Sequence, residues 1–220
     1  MTIYYLNIFI LKLNCKIMFD PKKIISKINN SCKNYFPKES MFLLRPIREN
    51  NRYIISGKYL EKAINNYNND HEEVKVLWWF DDFWLYIEIR FQKSETDIPN
   101  TFISLSVFQG NDSDNNKKQL LRAEWDNFDD NDIHPQPHWH IYSDNSFEKT
   151  FVEMIDDDSF ADLLNEEKSK GIDLKRIHFA MNGNWGTNGS HIHKISDEDT
   201  IINWFQGLLG HIKSQLEYVK

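Results

Sequence analysis

The sequence predicts an α+β fold, an antiparallel β-meander sheet with helices packed on one face and a polar His/Glu/Arg face opposite. Three observations carry this reading. Phe83, Leu85, Ile87, Ile89 and Phe91 alternate with Trp84, Tyr86, Glu88 and Arg90, and a period of two marks a strand with one buried face. Further alternating runs lie close by in the chain, and short links imply antiparallel pairing rather than crossovers. Towards both ends of the chain, apolar residues instead recur at helical spacing.

The opening 17 residues form an apolar run broken at Asn7 and Lys12, too short for a membrane span and without the basic start or cleavage site of a signal peptide. They are expected to be a poorly packed extension, with Met18 the true start and residues 18–220 a single domain. Asp20 and Pro21 supply an N-cap and a first-turn proline. Ile24, Ile25, Ile28, Cys32 and Tyr35 then trace the apolar side of a helix that Pro37 stops. An extended piece from Phe42 to Ile47 follows, and Lys58 to Tyr67 is expected to be a second helix.

Val74–Phe80 and Phe83–Gln92 flank Asp81-Asp82, a gap of hairpin length. Thr101–Gln109 is the next strand. After the polar linker NDSDNNKK come two alternating runs, 119–126 and 137–143, joined by an acidic loop. Beyond Ser143 the expectation is a helix over 147–168, a short strand over 175–181, a Gly/Asn-rich loop over 182–194 and a last helix. That helix opens on Ser196-Asp-Glu-Asp199, which resembles a capping box, and carries Ile201, Trp204, Leu208, Ile212 and Leu216 on one face.

With 40% hydrophobic residues and seven Trp among 220, the chain has ample material for a core. Two cysteines, Cys15 and Cys32, form neither a disulfide framework nor a CxxC pair, so a reducing, cytoplasmic setting is expected. Cys32 lies on the apolar helix side and reads as a buried structural thiol. The net charge of −7 argues against nucleic acid as a partner, although residues 1–62 hold 12 Lys+Arg against 4 Asp+Glu. That basic beginning suits an anionic partner, or simply complements the acidic remainder within the fold. The aromatic crowd at Trp78, Trp79, Phe80 and Trp84 suits core packing or a homodimer contact.

The chemistry gathers on runs 119–126 and 137–143. If they pair with Glu124 facing His138, Arg122 faces His140, and directly opposed side chains meet. A carboxylate beside an imidazole orients the ring and raises its basicity, as a general base or metal ligand requires. His138, His140 and Glu124 are therefore candidate catalytic groups or ligands of a divalent metal such as zinc. Arg122 is a candidate anion clamp, since guanidinium offers a planar fork of donors. Arg90, His178 and Trp185 are candidate substrate-binding residues, Trp185 by closure of the Gly-rich loop. Pro135 and Pro137 stiffen the start of the second run. Asp126, Asp129, Asp130 and Asp132 lack EF-hand spacing and read as a solvated loop.

No GxSxG, HExxH, kinase or Walker motif is present. Two functions are compatible with these residues. One is a hydrolase acting on a phosphate ester or nucleotide. The other is a non-catalytic ligand- or protein-binding module in which the same residues form a structural polar network.

Overall fold

The computed structural model describes residues 19–47, 51–67, 70–94, 99–114, 117–127, 135–142, 179–181, 193, 195 and 197–219. Among them two α-helices and nine strands form a mixed α+β structure built on one antiparallel sheet. Helix α1 is Pro21–Cys32 and helix α2 is Glu198–Val219. The strands are β1 Leu43–Pro46, β2 Arg52–Ser56, β3 Leu60–Tyr67, β4 Asp70–Phe80, β5 Phe83–Gln92, β6 Asn100–Gln109, β7 Lys118–Asp126, β8 His138–Ile141 and β9 Phe179–Ala180.

Both helices start as their residues dictate. Asp20 caps α1 by accepting from the Lys22 amide, with Pro21 in the first turn. At α2 the cap is Asp197, which accepts from the Thr200 amide and hydroxyl. The two helices meet through Glu198, whose carboxylate takes Lys23 at 3.0 Å and the Asp20 amide at 3.3 Å. Ile24, Ile28 and Cys32 of α1 and Ile201, Phe205 and Leu209 of α2 join the apolar file of β5 in one buried cluster. Trp125 of β7 meets Trp204 of α2 at 5.6 Å between ring centroids. The Cys32 thiol is raised to about 11 by that burial, so it is an inert core group.

The strand order is β1-β2-β5-β6-β7-β8-β9, with β4 also paired to β5 and β3 to β4. On one edge of β5, its C-terminal half pairs with β2 and its N-terminal half with β4. Strand β4 leaves that edge before Leu77, and its remaining length carries β3. The β3–β4 hairpin thereby comes back over β7. Asn65 and Asn66 bond Gln119, and Asn65 also takes the Ser106 hydroxyl.

This arrangement corrects the expectation of a helix over 58–67. Eight registered pairs hold Leu60–Tyr67 to β4 as a strand, and tertiary pairing overrides a local helical pattern. It also changes the character of the polar residues on β7 and β8, which are enclosed rather than solvated. Ile141, at the end of β8, is 50% exposed. Residues 1–18 and the helix expected over 147–168 lie outside the described residues, and of the strand expected over 175–181 the described part is β9 with Met181.

Candidate functional site

Strand β7 pairs with β8 so that Glu124 opposes His138 and Arg122 opposes His140, the pairing on which the candidate site is conditional. Neighbouring strands extend the same rows. Glu88, Ser104, Glu124 and His138 form one line of partners across β5 to β8, and Tyr86, Ser106, Arg122 and His140 form the next. Directly paired residues share a face, so four strands contribute polar side chains to one surface.

At its centre three atoms converge. His140 Nε2 lies 3.0 Å from Glu124 Oε2, His138 Nε2 lies 3.5 Å from the same oxygen, and the two Nε2 atoms are 3.0 Å apart. Lone-pair-bearing atoms this close repel one another unless a proton or a cation lies among them. Zinc–nitrogen bonds of about 2.0–2.1 Å at tetrahedral angles separate neighbouring ligands by about 3.3 Å, so the observed triangle has the dimensions of one face of such a site. These three residues are the one group of that kind among the described residues.

Arg122 supports the carboxylate. Its Nε is 3.0 Å from Glu124 Oε1 and its Nη2 is 3.4 Å from Oε2. Nη1 donates to the Asn66 carbonyl, and the guanidinium sits 4.6 Å from the Tyr67 ring centroid. Burial alone would raise the Glu124 carboxyl. Hydrogen bonds from His138 and His140 and the charge of Arg122 outweigh burial and hold it far below the usual carboxylate range. Glu124 is thus anionic in a dry environment, and Tyr142, pushed up to about 12 chiefly by burial, stays a neutral donor to the Asn66 carbonyl. Arg122 is 1% exposed, His138 and His140 3% and Glu124 6%.

Arg90 lies on the same surface beyond the triad, with its guanidinium over the Phe102 ring and Nε donating to Glu88. His178 and Trp185 lie outside the described residues. Of the acidic loop, Asp126 is described, and Gln136 both donates to its carboxylate and accepts from its amide. The Gln136–Pro137 peptide is cis. Of the Gly/Asn-rich loop over 182–194, His193 is described, and its carbonyl accepts from the Trp125 indole.

Several groups escaped sequence reasoning. Arg52 of β2 forms a two-point contact with Glu88, Nε to Oε1 at 2.7 Å and Nη2 to Oε2 at 2.8 Å. Asn66 and Tyr67 close over Arg122 from β3, and Asn65 beside them bonds Ser106 and Gln119. The available signal was the sequence between the β3 and β4 partners Tyr67 and Asp70, which is Asn68-Asn69, a residue pair suited to a tight hairpin.

Comparisons with protein-family models, with curated proteins and with solved structures find no match. No helix among the described residues is long and apolar enough to cross a membrane.

Proposed function

We propose that this chain is a metal-dependent hydrolase whose centre is a divalent cation held by His138, His140 and Glu124. The observation that carries this reading is the convergence of three ligand atoms within 4.8 Å of one another on adjacent strands. Two imidazoles and a carboxylate favour zinc among common cations, and three protein ligands leave a coordination position for water. A divalent cation held by these residues would supply the chemistry of lowering the pKa of a coordinated water towards neutrality.

Arg122 acts in this scheme as a positioning residue. Its donors are engaged by Glu124 and the Asn66 carbonyl, which favours holding the carboxylate ligand over clamping a substrate. The anion-binding role passes to Arg90, whose side chain keeps 38% exposure, since Arg52 is engaged by Glu88 as Arg122 is by Glu124. A phosphate ester or nucleotide is the substrate class that suits a guanidinium group on the same surface as a hydrolytic cation. The helices would shield one face of the sheet and leave the polar rows to carry the chemistry.

Burial favours a second reading. All four of Arg122, Glu124, His138 and His140 are at most 6% exposed, as expected of a polar network that fixes the shape of a binding module. Elemental analysis of the native protein and of the His138→Ala/His140→Ala double variant separates the two. Stoichiometric metal that disappears in the variant supports the hydrolase, and a phosphatase and nucleotidase screen then follows. Metal-free native protein would turn the assignment to the binding module.

A further inference from the structure

A separate cavity of about 550 Å³ opens where the β4–β5 hairpin meets the start of β3, within the size range of small-molecule sites. Tyr59, Trp78 and the nearly buried Trp84 supply the aromatic part of its wall. Trp78 and Trp84 are cross-strand partners, and Tyr59 stands against Trp78 with ring planes at 88° and centroids 6.0 Å apart. The Trp78 indole N–H is fixed on the Asp81 carbonyl at 2.9 Å, and the Trp84 N–H on the Gly110 carbonyl at 2.8 Å. The rings are therefore held at their edges.

The surrounding charge is mostly negative. Glu39, Glu61, Asp81 and Asp112 line the cavity, opposed there by Lys58. Ammonium groups already use these rings, Lys117 at 4.5 Å from the Trp84 centroid and Lys58 at 5.3 Å from that of Tyr59. Lys117 is buried and belongs to the fold, whereas Lys58 is exposed. Perpendicular aromatic walls with an acidic rim suit a cation that is large and weakly hydrated, because ring faces attract positive charge and apolar substituents bury against them. We propose that this cavity binds an organic cation carrying an alkylated ammonium group. It does so independently of any metal at the histidine triad.

Two sources supply that chemistry, a choline-type headgroup and a methylated lysine side chain. The test is isothermal titration calorimetry on the full chain with choline, with Nε-trimethyllysine and with 3,3-dimethylbutan-1-ol, the uncharged analogue of choline. Binding of either cation, with the alcohol at least about fivefold weaker, is expected from one ring contact. Tighter binding of choline assigns a headgroup, and tighter binding of trimethyllysine a modified peptide. Tyr59→Leu, at a 42% exposed position, should weaken the cation about fivefold. Lys58→Gln should tighten it by removing like charge. Absence of heat with both cations, or equal affinity for the alcohol, would overturn the proposal. So would a Tyr59→Leu protein with native circular dichroism and unchanged affinity. Should Tyr59→Leu fail to fold, the Lys58→Gln result decides, and unchanged affinity there counts against the site.

Discussion

The guanidinium of Arg122 on β7 donates to the main-chain carbonyl of Asn66 on β3 while pairing with Glu124 on its own strand. One side chain therefore joins the hairpin that closes over the sheet to the carboxylate at the centre of the polar surface. Removing it leaves an anion and a carbonyl without that partner in a dry environment. Arg122→Met should cost about 3–5 kcal/mol, the range for breaking a buried pair from one side. Arg90→Met, at a side chain 38% exposed whose partner Glu88 keeps Arg52 and Tyr86 as donors, should cost less, about 1 kcal/mol for one hydrogen bond. Urea denaturation of both variants measures the contrast, and equal costs would show that Arg122 does not anchor the hairpin.

A cation held by the triad stabilises the folded chain in proportion to its saturation. With zinc at 100 times its dissociation constant, the gain is about 2.7 kcal/mol. Thermal denaturation of chelator-treated protein should therefore shift upward on adding zinc. His138→Ala/His140→Ala should abolish that shift, and Glu124→Gln should weaken it by removing the charged ligand. An upward shift that survives in the double variant would locate the metal elsewhere.

The period-two pattern of Phe83 to Phe91 was legible because both faces of β5 obey it. The same alternation put Arg122, Glu124, His138 and His140 on one face, while their register is set by the fold. The hairpin above them was hidden. Leu60, Ala63, Ile64 and Tyr67 also fall at helical spacing, and the residues that β3 turns towards the polar surface include Asn65, which local reasoning assigns to solvent. Asn65 is 4% exposed, with its side-chain oxygen taken by Ser106 and Gln119. Burial of an amide becomes intelligible once its partners are known, and they lie 41 and 54 residues away. Arg122 is enclosed through the same hairpin, on the Asn66 carbonyl and over the Tyr67 ring, which is why alternation alone left the surface open.

Ile87 has no exposed surface, whereas Ile141 is half exposed at the end of β8. Ile87→Ala should destabilise by about 2–5 kcal/mol. Ile141→Ala should stay within about 0.5 kcal/mol, as is usual away from the core. Trp139, half-buried against the cluster, should fall between them when truncated. A urea midpoint for Ile141→Ala below that of Ile87→Ala would contradict the assignment of faces.

Acid should unfold this protein partly through Glu88. Burial raises its carboxyl, but hydrogen bonds from Arg52, Arg90 and Tyr86 prevail and lower it below the ordinary range. A carboxyl depressed on folding contributes stability that is complete above the unfolded value of about 4.3 and is lost as pH falls towards the folded one. Stability measured from pH 7 to pH 3 should accordingly decline less steeply in Glu88→Gln than in the native chain. Parallel curves would remove Glu88 from the acid response and leave Glu124, which is depressed in the same direction.

Two glycines offer opposite outcomes for the same substitution. A Cβ added at Gly57 would run into the Ser40 carbonyl oxygen and the Leu77 side chain closer than real Cβ atoms come, and the carbonyl is fixed because it accepts from the Lys58 amide at 2.8 Å. Relief requires moving backbone at the approach to β3, so Gly57→Ala should cost about 1–3 kcal/mol by overpacking. Gly207 lies exposed in the interior of α2 with nothing within 4 Å of its would-be Cβ. Alanine there gains helix propensity and restricts the unfolded chain, a stabilisation of about 0.5–1 kcal/mol. Thermal midpoints should move down for Gly57→Ala and up for Gly207→Ala. A neutral Gly57→Ala would mean that the Ser40 carbonyl yields without cost, and the close approach of the chain at Gly57 would then hold nothing in place.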